Sequence, residues 1–522
     1  MSHPSSGHAA DLLLSLPIVV PALTAAGYAL PGRRTGPAGR TVTGWAGMLS
    51  PAAILAGAIA LAATTPGHGP VRAWGRLLRA DALTVWMLLV VGAVAALAVA
   101  AGPAYLAGER AAGGAADNAA RRYCLLVHAF LAAMSLAVLA ENLGVLWVAV
   151  EATTIVTAFL VGHRRTRASI EAAWKYVVIC SVGIALAFLG TVLIYYAARQ
   201  AGLSEAAALD WPALVAHARQ LDPDTTRLGF GLIVLGFGAK AGLVPLHAWL
   251  PDAHSQAPAP VSALMSGVLL SVSFTAVLRY KVIADDALGT GFARLLLTGT
   301  ALLTLALAAG LLLGQRDYKR MLAYSSMEHM SLIALGAAVG SPLAIAAVLL
   351  HIAGHGLAKT VAFCSAGEIL RLRRTTRIGR LRGLLAQAPA LGAAFGLAVI
   401  ALLGLPPFSL FASEVGIARA GFAAGLGAPL AAALLLALAA FAALTLRTAR
   451  LLLGPPPDDP GAPGAPGAPV APGAGPGSVP VRIGAAAGGP LLTGLLACAA
   501  LGTATGPLTG LLHTASAIIG GR

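Results

Sequence analysis

"GFGAKAGLVPLHAWLPDAHSQAPAPVSALM", residues 236–265, sets Lys240 and several prolines, Pro245 the first, inside what otherwise reads as a membrane-spanning helix. A stranded ammonium at mid-bilayer costs roughly 2.5–3.5 kcal/mol on insertion scales. Lys240 must therefore have a compensating environment, and the prolines show where it comes from: they interrupt the helix at the lysine. The surrounding sequence has the same character. Of 522 residues 58% are hydrophobic and 11% are charged. The apolar stretches recur along the chain with lengths near the ~20 residues that cross about 30 Å of hydrocarbon. Spans are expected near residues 20, 53, 91, 132, 152, 186, 237, 271, 303, 331, 356, 400, 440 and 498, about fourteen in all, each helical because a helix satisfies its own backbone in lipid. The opening "MSHPSSGHAADLLLSLPIVVPALTAAGYAL" has no basic start and is read as the first span.

The net charge of +15 raises the question of nucleic acid, and its placement answers it. Under strict alternation one set of loops holds Arg33, Arg34, Arg40, Arg110, Arg121, Arg122, Arg164, Arg165, Arg167, Arg316, Lys319, Arg320, the run "RLRRTTRIGRLR" at 371–382, Arg447, Arg450 and Arg482. These outnumber the basic residues of the opposite loops, so the positive-inside rule puts them in the cytoplasm and both termini on the outer side of the cell membrane. The charge reports topology and not a nucleic-acid partner. Residues 371–382 could also dock a partner or the membrane surface.

Cys124, Cys180, Cys364 and Cys498 stand apart, with no Cys-x-x-Cys. No glycine-rich nucleotide loop follows a strand. The expectation is a chain with no metal, no cofactor and no redox centre of its own. Residues 454–478, "GPPPDDPGAPGAPGAPVAPGAGPGS", read as a flexible or polyproline-like cytoplasmic linker before the last span. "LSEAAALDWPALVAHARQL", within 199–226, reads as a short amphipathic surface helix.

The buried charges are the candidates for chemistry. Glu151 in "ENLGVLWVAVEATTIVTAFLVGHRRTR" lies near mid-membrane, and Lys240 is similarly deep. In "LLHIAGHGLAKTVAFCSAGEIL", His351, His355 and Lys359 recur every four residues, which stacks them as a polar stripe about 12 Å long on one helix face. Glu414 in "ALLGLPPFSLFASEVGIARAGF" follows Pro406 and Pro407, as Lys240 precedes Pro245. Two interrupted segments in different halves of the chain are the mark of inverted repeats whose broken helices line a hydrated cavity. There Lys240, paired with a carboxylate such as Glu151, gains or loses a proton as the pair opens and closes. Other readings stand beside this one. Lys240 and Glu151 could form a purely structural pair. His351 and His355 could bind zinc, or ligate haem with His128 or His329. Glu328, His329 and Glu141 lie nearer span ends and could face the interface, and Lys175 could snorkel beside Trp174 and Tyr176.

The stretch "GAKAGLVPLHAWLPDAHSQAPAPVSALMSG", followed by "RDYKRMLAYSSMEHMSLI" and "HIAGHGLAKTVAFCSAG", resembles the antiporter-like proton-pumping subunits of respiratory complex I, membrane-bound hydrogenases and multi-subunit sodium/proton antiporters. The likeness spans roughly residues 80–450, and "GLPPFSLFASE" is most similar to the hydrogenase-4 component F branch. The resemblance implies an all-α integral membrane protein of fourteen helices with two inverted five-helix repeats and two broken helices. It implies N-terminal helices over 1–120, a first repeat over 121–284, a second over 285–453, the Pro/Gly-rich linker over 454–484 and a last helix over 485–522. It assigns proton translocation to Glu151, Lys240, His355, Lys359 and Glu414, with Lys175, His351, Glu141 and Glu328 as further relay candidates. The implied partners are other membrane subunits and a peripheral redox module, and the alternatives are a sodium/proton antiporter subunit or an ion-coupled uptake subunit for a solute such as inorganic carbon. Ser266 stands where several complex I members have a histidine, so the link between Lys240 and Lys359 breaks there or passes through water. The chain also ends without the lateral helix of the largest complex I subunit.

Overall fold

Polar residues at the ends of the apolar runs start the helices. Asn142 accepts from the backbone N–H groups of Gly144 and Val145, Thr166 from Ser169, Asp317 from Arg320 and Ser341 from Ala344, each satisfying donors a helix start leaves orphaned. The computed structural model describes residues 4–30, 45–111, 117–454 and 481–520. Arg33, Arg34, Arg40 and residues 455–480 of the expected linker lie outside the described residues.

The principal helices, in chain order, are α1 Pro4–Ala29, α2 Leu49–His68, α3 Ala82–Ala111, α4 Asp117–Leu139, α5 Leu143–Val161, α6 Arg167–Gln200 and α7 Pro223–Lys240. They continue as α8 Trp249–Gln256, α9 Ala259–Leu288 with a π-helical turn at Met265–Leu269, α10 Thr290–Leu313, α11 Tyr318–Val339 and α12 Pro342–Arg373. The remainder are α13 Pro389–Leu402, α14 Ser409–Ala423, α15 Gly427–Leu452, α16 Ala485–Thr503 and α17 Gly506–Ile519. This is an all-helical membrane architecture. Among the described residues, ten helices are long and apolar enough to cross a bilayer by length and composition. Every expected centre falls within a helix, but those near 53, 237, 331 and 400 fall in α2, α7, α11 and α13, which do not meet that measure. The last helical segment divides, because α16 stops at Thr503 and α17 restarts at Gly506.

The exception to the helical rule is a small hairpin, β1 Val71–Ala73 against β2 Leu78–Ala80. Asp81 follows it and caps α3 by accepting from Thr84 N at 3.0 Å. The surface helix expected within 199–226 is one short segment, Trp211–Ala216, pinned by buried Trp211 and Leu214.

Both expected breaks are present. The first separates α7 from α8 over residues 241–248, with Gly242 at φ +80° where a side chain would be strained. Its freed backbone groups find partners: Leu243 N donates to Gly238 O, Val244 N to Thr304 Oγ1, and Trp249 Nε1 to Ala239 O. The second separates α13 from α14, with Gly404 at φ +62°. Glycines also bring α6 and α7 together. A Cβ at Gly190 would sit 2.7 Å from Gly229 O, and one at Gly236 would collide with the Ala187 backbone. This close small-residue crossing is the usual substitute in lipid for a hydrophobic driving force. It lays Tyr176 of α6 beside the end of α7.

Candidate proton-translocating site

Because α7 ends at Lys240, the side chain leaves the helix at the break and enters the space between α5 and α6. It is fully buried. Its Nζ donates to Thr154 Oγ1 at 2.7 Å and to the Tyr176 hydroxyl at 2.5 Å. Thr157 Oγ1 lies 2.6 Å from the same Tyr176 hydroxyl and 2.6 Å from Thr153 O. Since Tyr176 accepts from the lysine, its own proton points to Thr157, and the result is a short chain of exchangeable hydrogens running into α5.

The contact ion pair expected between Lys240 and Glu151 does not form. Two hydroxyls take the ammonium, and the Glu151 Oε2 atom is buried without a hydrogen-bond partner. Glu151 stands three residues before Thr154 on α5, hence on the same face and about 4.5 Å along the axis. The helix break aims the lysine at the Thr154 turn and not at the carboxylate. The carboxylate therefore stands on the same face of α5 as Thr154 without pairing with the ammonium.

The second half of the chain repeats the motif with different groups. Lys359 of α12 is fully buried and donates to Leu322 O at 2.7 Å and to Ser325 Oγ, both on α11. One turn earlier His355 is buried with both ring nitrogens unpartnered, its ring 5.0 Å from that of His329 on α11. His329 Nδ1 is 3.1 Å from His351 Nε2, and His351 Nδ1 is 2.9 Å from Ser413 Oγ on α14. Glu414 follows Ser413 and is partly exposed, its carboxylate against Gly404 in the second break. Glu328, 7% exposed, precedes His329. His329 and Glu328 therefore face the interior, not the interface. His351, His355 and Lys359 line one face of α12 against α11 as their spacing implied, and Glu414 joins His329 and His351 from α14.

Two other candidates lie elsewhere. Lys175 is 45% exposed and pairs with Glu171 at 2.7 Å and Asp252 at 3.1 Å, and Asp252 also takes Arg320 at 2.7 Å. Glu141 sits between α4 and α5 against the hairpin, 3.0 Å from Arg72 and 3.7 Å from Arg76. Burial pushes its carboxyl up, against the pull of Arg72 and Arg79.

Between the two lysines lie Ser266, which the sequence marked as the point where the link breaks or passes through water, and His254 and Lys319, which the sequence did not place in the site. His254 of α8 is fully buried with neither ring nitrogen partnered. Its ring is 6.0 Å from Trp249, which packs edge-on against Tyr176, and 5.6 Å from Phe363, one turn beyond Lys359. Ser266 shares a 2.7 Å hydrogen bond with Ser326, beside Ser325. Lys319, 1% exposed, is held by Ser255 O and Ala257 O. The available signal for His254 was its place after a helix-breaking proline in an apolar region.

Two interrupted helices, the first ending at the buried Lys240, and a second buried lysine, Lys359, on the unbroken α12 between them in sequence, both lysines held by neighbouring hydroxyls or carbonyls, define a polytopic membrane protein of the antiporter-like class. Residues 140–440 match the family described as NADH:quinone oxidoreductase/Mrp antiporter, TM. A hydrogenase-4 component F homolog from Methylacidiphilum infernorum (isolate V4) is 38% identical over 387 residues, covering 74% of this chain and 81% of that protein. The chain belongs to this family. It is also 35% identical over 265 residues to an NADH-quinone oxidoreductase subunit N from Desulforudis audaxviator (strain MP104C), covering 49% of this chain and half of that relative. Its fold is that of a chain in the Mrp complex from Dietzia sp. DQ12-45-1b, with TM-score 0.79, 24% identity, and coverage of 98% of this chain and 97% of that one.

Proposed function

We propose that this chain is the proton-translocating membrane subunit of a redox-driven complex of the hydrogenase-4 or NADH-quinone oxidoreductase kind. The observation that carries the reading is Lys240, fully buried at a helix break, with its ammonium donated to Thr154 and Tyr176. A lysine held by neutral hydroxyls keeps its charge only while those hydroxyls stay in place, so a small movement of α5 or α6 changes its proton affinity. Glu151, on the same face of α5, tunes the lysine's hold on its proton through its nearby charge. Lys359, His355, His351 and Glu414 carry protons through the second half, and His254 and the Ser266–Ser326 pair bridge the two. Glu328 tunes Lys359 from α11. Lys175 and Glu141 act at the surfaces. Two inverted repeats, 121–284 and 285–453, place the two breaks in opposite senses. The subunit lies in the cell membrane with both termini outside, against other membrane subunits, and a peripheral module supplies the driving reaction.

The test is Lys240→Met in proteoliposomes of the assembled complex: an apolar side chain of similar length removes the titrating group without opening a cavity. Translocation should cease while the subunit stays in the complex. Wild-type pumping per assembled complex would refute the reading. A second reading, a sodium/proton antiporter subunit, draws support from the fold shared with the Mrp complex chain. Sodium-dependent exchange without any electron donor would favour it.

A further inference from the structure

His329, His351 and Glu414 converge on one point from three helices: one ligand atom from each lies within 4.8 Å of the other two. The nearest pair, His329 Nδ1 and His351 Nε2, is 3.1 Å apart. Four ligands arranged tetrahedrally at about 2.0–2.1 Å from a zinc ion are separated from one another by about 3.3 Å. The imidazole pair already has nearly that spacing, and Glu414, whose ligand atom lies within 4.8 Å of both, has at most about 1.5 Å to close to complete three corners.

The tautomers are set for the same purpose. The Ser413 hydroxyl donates to Leu410 O at 2.8 Å, so its oxygen can only accept from His351 Nδ1–H. That leaves His351 Nε2 as a lone pair aimed at His329. Such a hydrogen bond behind a ligating imidazole is the usual way a metal-binding histidine is oriented. His329 binds after its proton moves from Nδ1 to Nε2, which requires no net loss of charge. His355, both of whose ring nitrogens are buried without partners, has its ring 5.0 Å from that of His329.

We infer that His329, His351 and Glu414 form a binding site for a zinc-class divalent cation between α11, α12 and α14. Two imidazoles and one carboxylate suit zinc, cobalt or nickel, not the oxygen-seeking magnesium or calcium. Glu328, next to His329, adds a second carboxylate close to the double charge.

The probe is Zn²⁺ itself, titrated into the tag-free complex in detergent against a competing chelator, with zinc K-edge absorption to read the ligands. One zinc per chain is expected, on nitrogen and oxygen ligands only. His351→Gln and Glu414→Gln should each weaken binding by at least tenfold, and Ser413→Ala, which frees the His351 tautomer, by about tenfold. The Glu414 and Ser413 variants keep the test alive if the His351 change prevents folding. No equimolar zinc, zinc–sulfur distances near 2.3 Å pointing to Cys124, Cys180, Cys364 or Cys498, or unchanged affinity in the variants would overturn the site. The effect on pumping rests on the function proposed above and is read separately. Zinc bound at this site that leaves pumping intact would keep the metal site and remove His351 and Glu414 from the proton path.

Discussion

Replacing Asp81 by Asn isolates a buried electrostatic contact between the start of α3 and α9. Asp81 and Arg279 form a bidentate pair at 2.6 and 2.8 Å, with both residues under 10% exposed. Arg79 adds a contact at 3.2 Å, and Arg279 also donates to Thr84 Oγ1 at 3.0 Å and stacks over Trp211 at 4.6 Å. The pair ties the start of α3 to α9. Removing one partner of a buried pair costs about 3–5 kcal/mol, because the other charge is left unpaired. The asparagine oxygen still accepts one guanidinium hydrogen and Thr84 another, which puts the cost near the lower end, about 3 kcal/mol or roughly a hundredfold in the folding equilibrium.

The pH dependence has a definite sign. Burial alone would raise the Asp81 carboxyl, but the Arg279 guanidinium outweighs it and holds it well below the usual carboxylate range. A depressed folded value means the stability it contributes is complete above about pH 4 and is lost only as pH falls through the folded value. The gap between wild type and Asp81→Asn should therefore be flat from pH 8 to pH 5 and close at lower pH. The assay is reversible unfolding in mixed micelles titrated with SDS. The companion double variant, Asp81→Leu with Arg279→Met, should recover most of the loss, since an apolar pair avoids the desolvation of both charges. A cost under about 0.5 kcal/mol, a gap that narrows between pH 8 and pH 5, or a double variant no better than the single one would refute this reasoning.

Glu151→Gln should slow translocation less than Lys240→Met, because Glu151 is not a hydrogen-bond partner of the ammonium and Gln removes only its nearby charge; equal or greater loss in proteoliposome pumping would make the carboxylate an obligatory carrier. His355→Ala should reduce pumping several-fold and Lys359→Ala more severely, with assembly spared in both, as measured by pumping normalised to subunit content; normal pumping per complex would remove both from the path. Gly404→Ala should lower pumping about as much as Glu414→Gln, because a Cβ there would strike the Glu414 carboxylate and the positive φ would be strained. Wild-type pumping in Gly404→Ala would show that Glu414 can move without consequence.

Much of this was legible in the sequence. Hydropathy located the spans because a bilayer imposes one length and one solvent on every helix, so local composition is decisive. Prolines and glycines marked both breaks, since the loss of an N–H or the need for positive φ is a property of the residue itself. The spacing of His351, His355 and Lys359 implied one face because helical periodicity is local. Partners across helices were not legible. Lys240 and Thr154 are 86 residues apart, Asp81 and Arg279 are 198 apart, and the geometry of each pair depends on helix rotation and on where a break releases the side chain. The sequence paired Lys240 with Glu151 on charge alone. Packing of α6 on α7 through Gly183, Gly190 and Gly236 put the Tyr176 hydroxyl in reach instead, and the neutral partners took the ammonium. In the same way His329, whose place near a span end left both the interface and the interior open, became the neighbour of His351 only once α11 was set against α12. Composition and local periodicity determined which groups enter the membrane. The crossing of helices decided which of them touch, because contact distance depends on the rotation of two helices at once, and no single stretch of sequence encodes that.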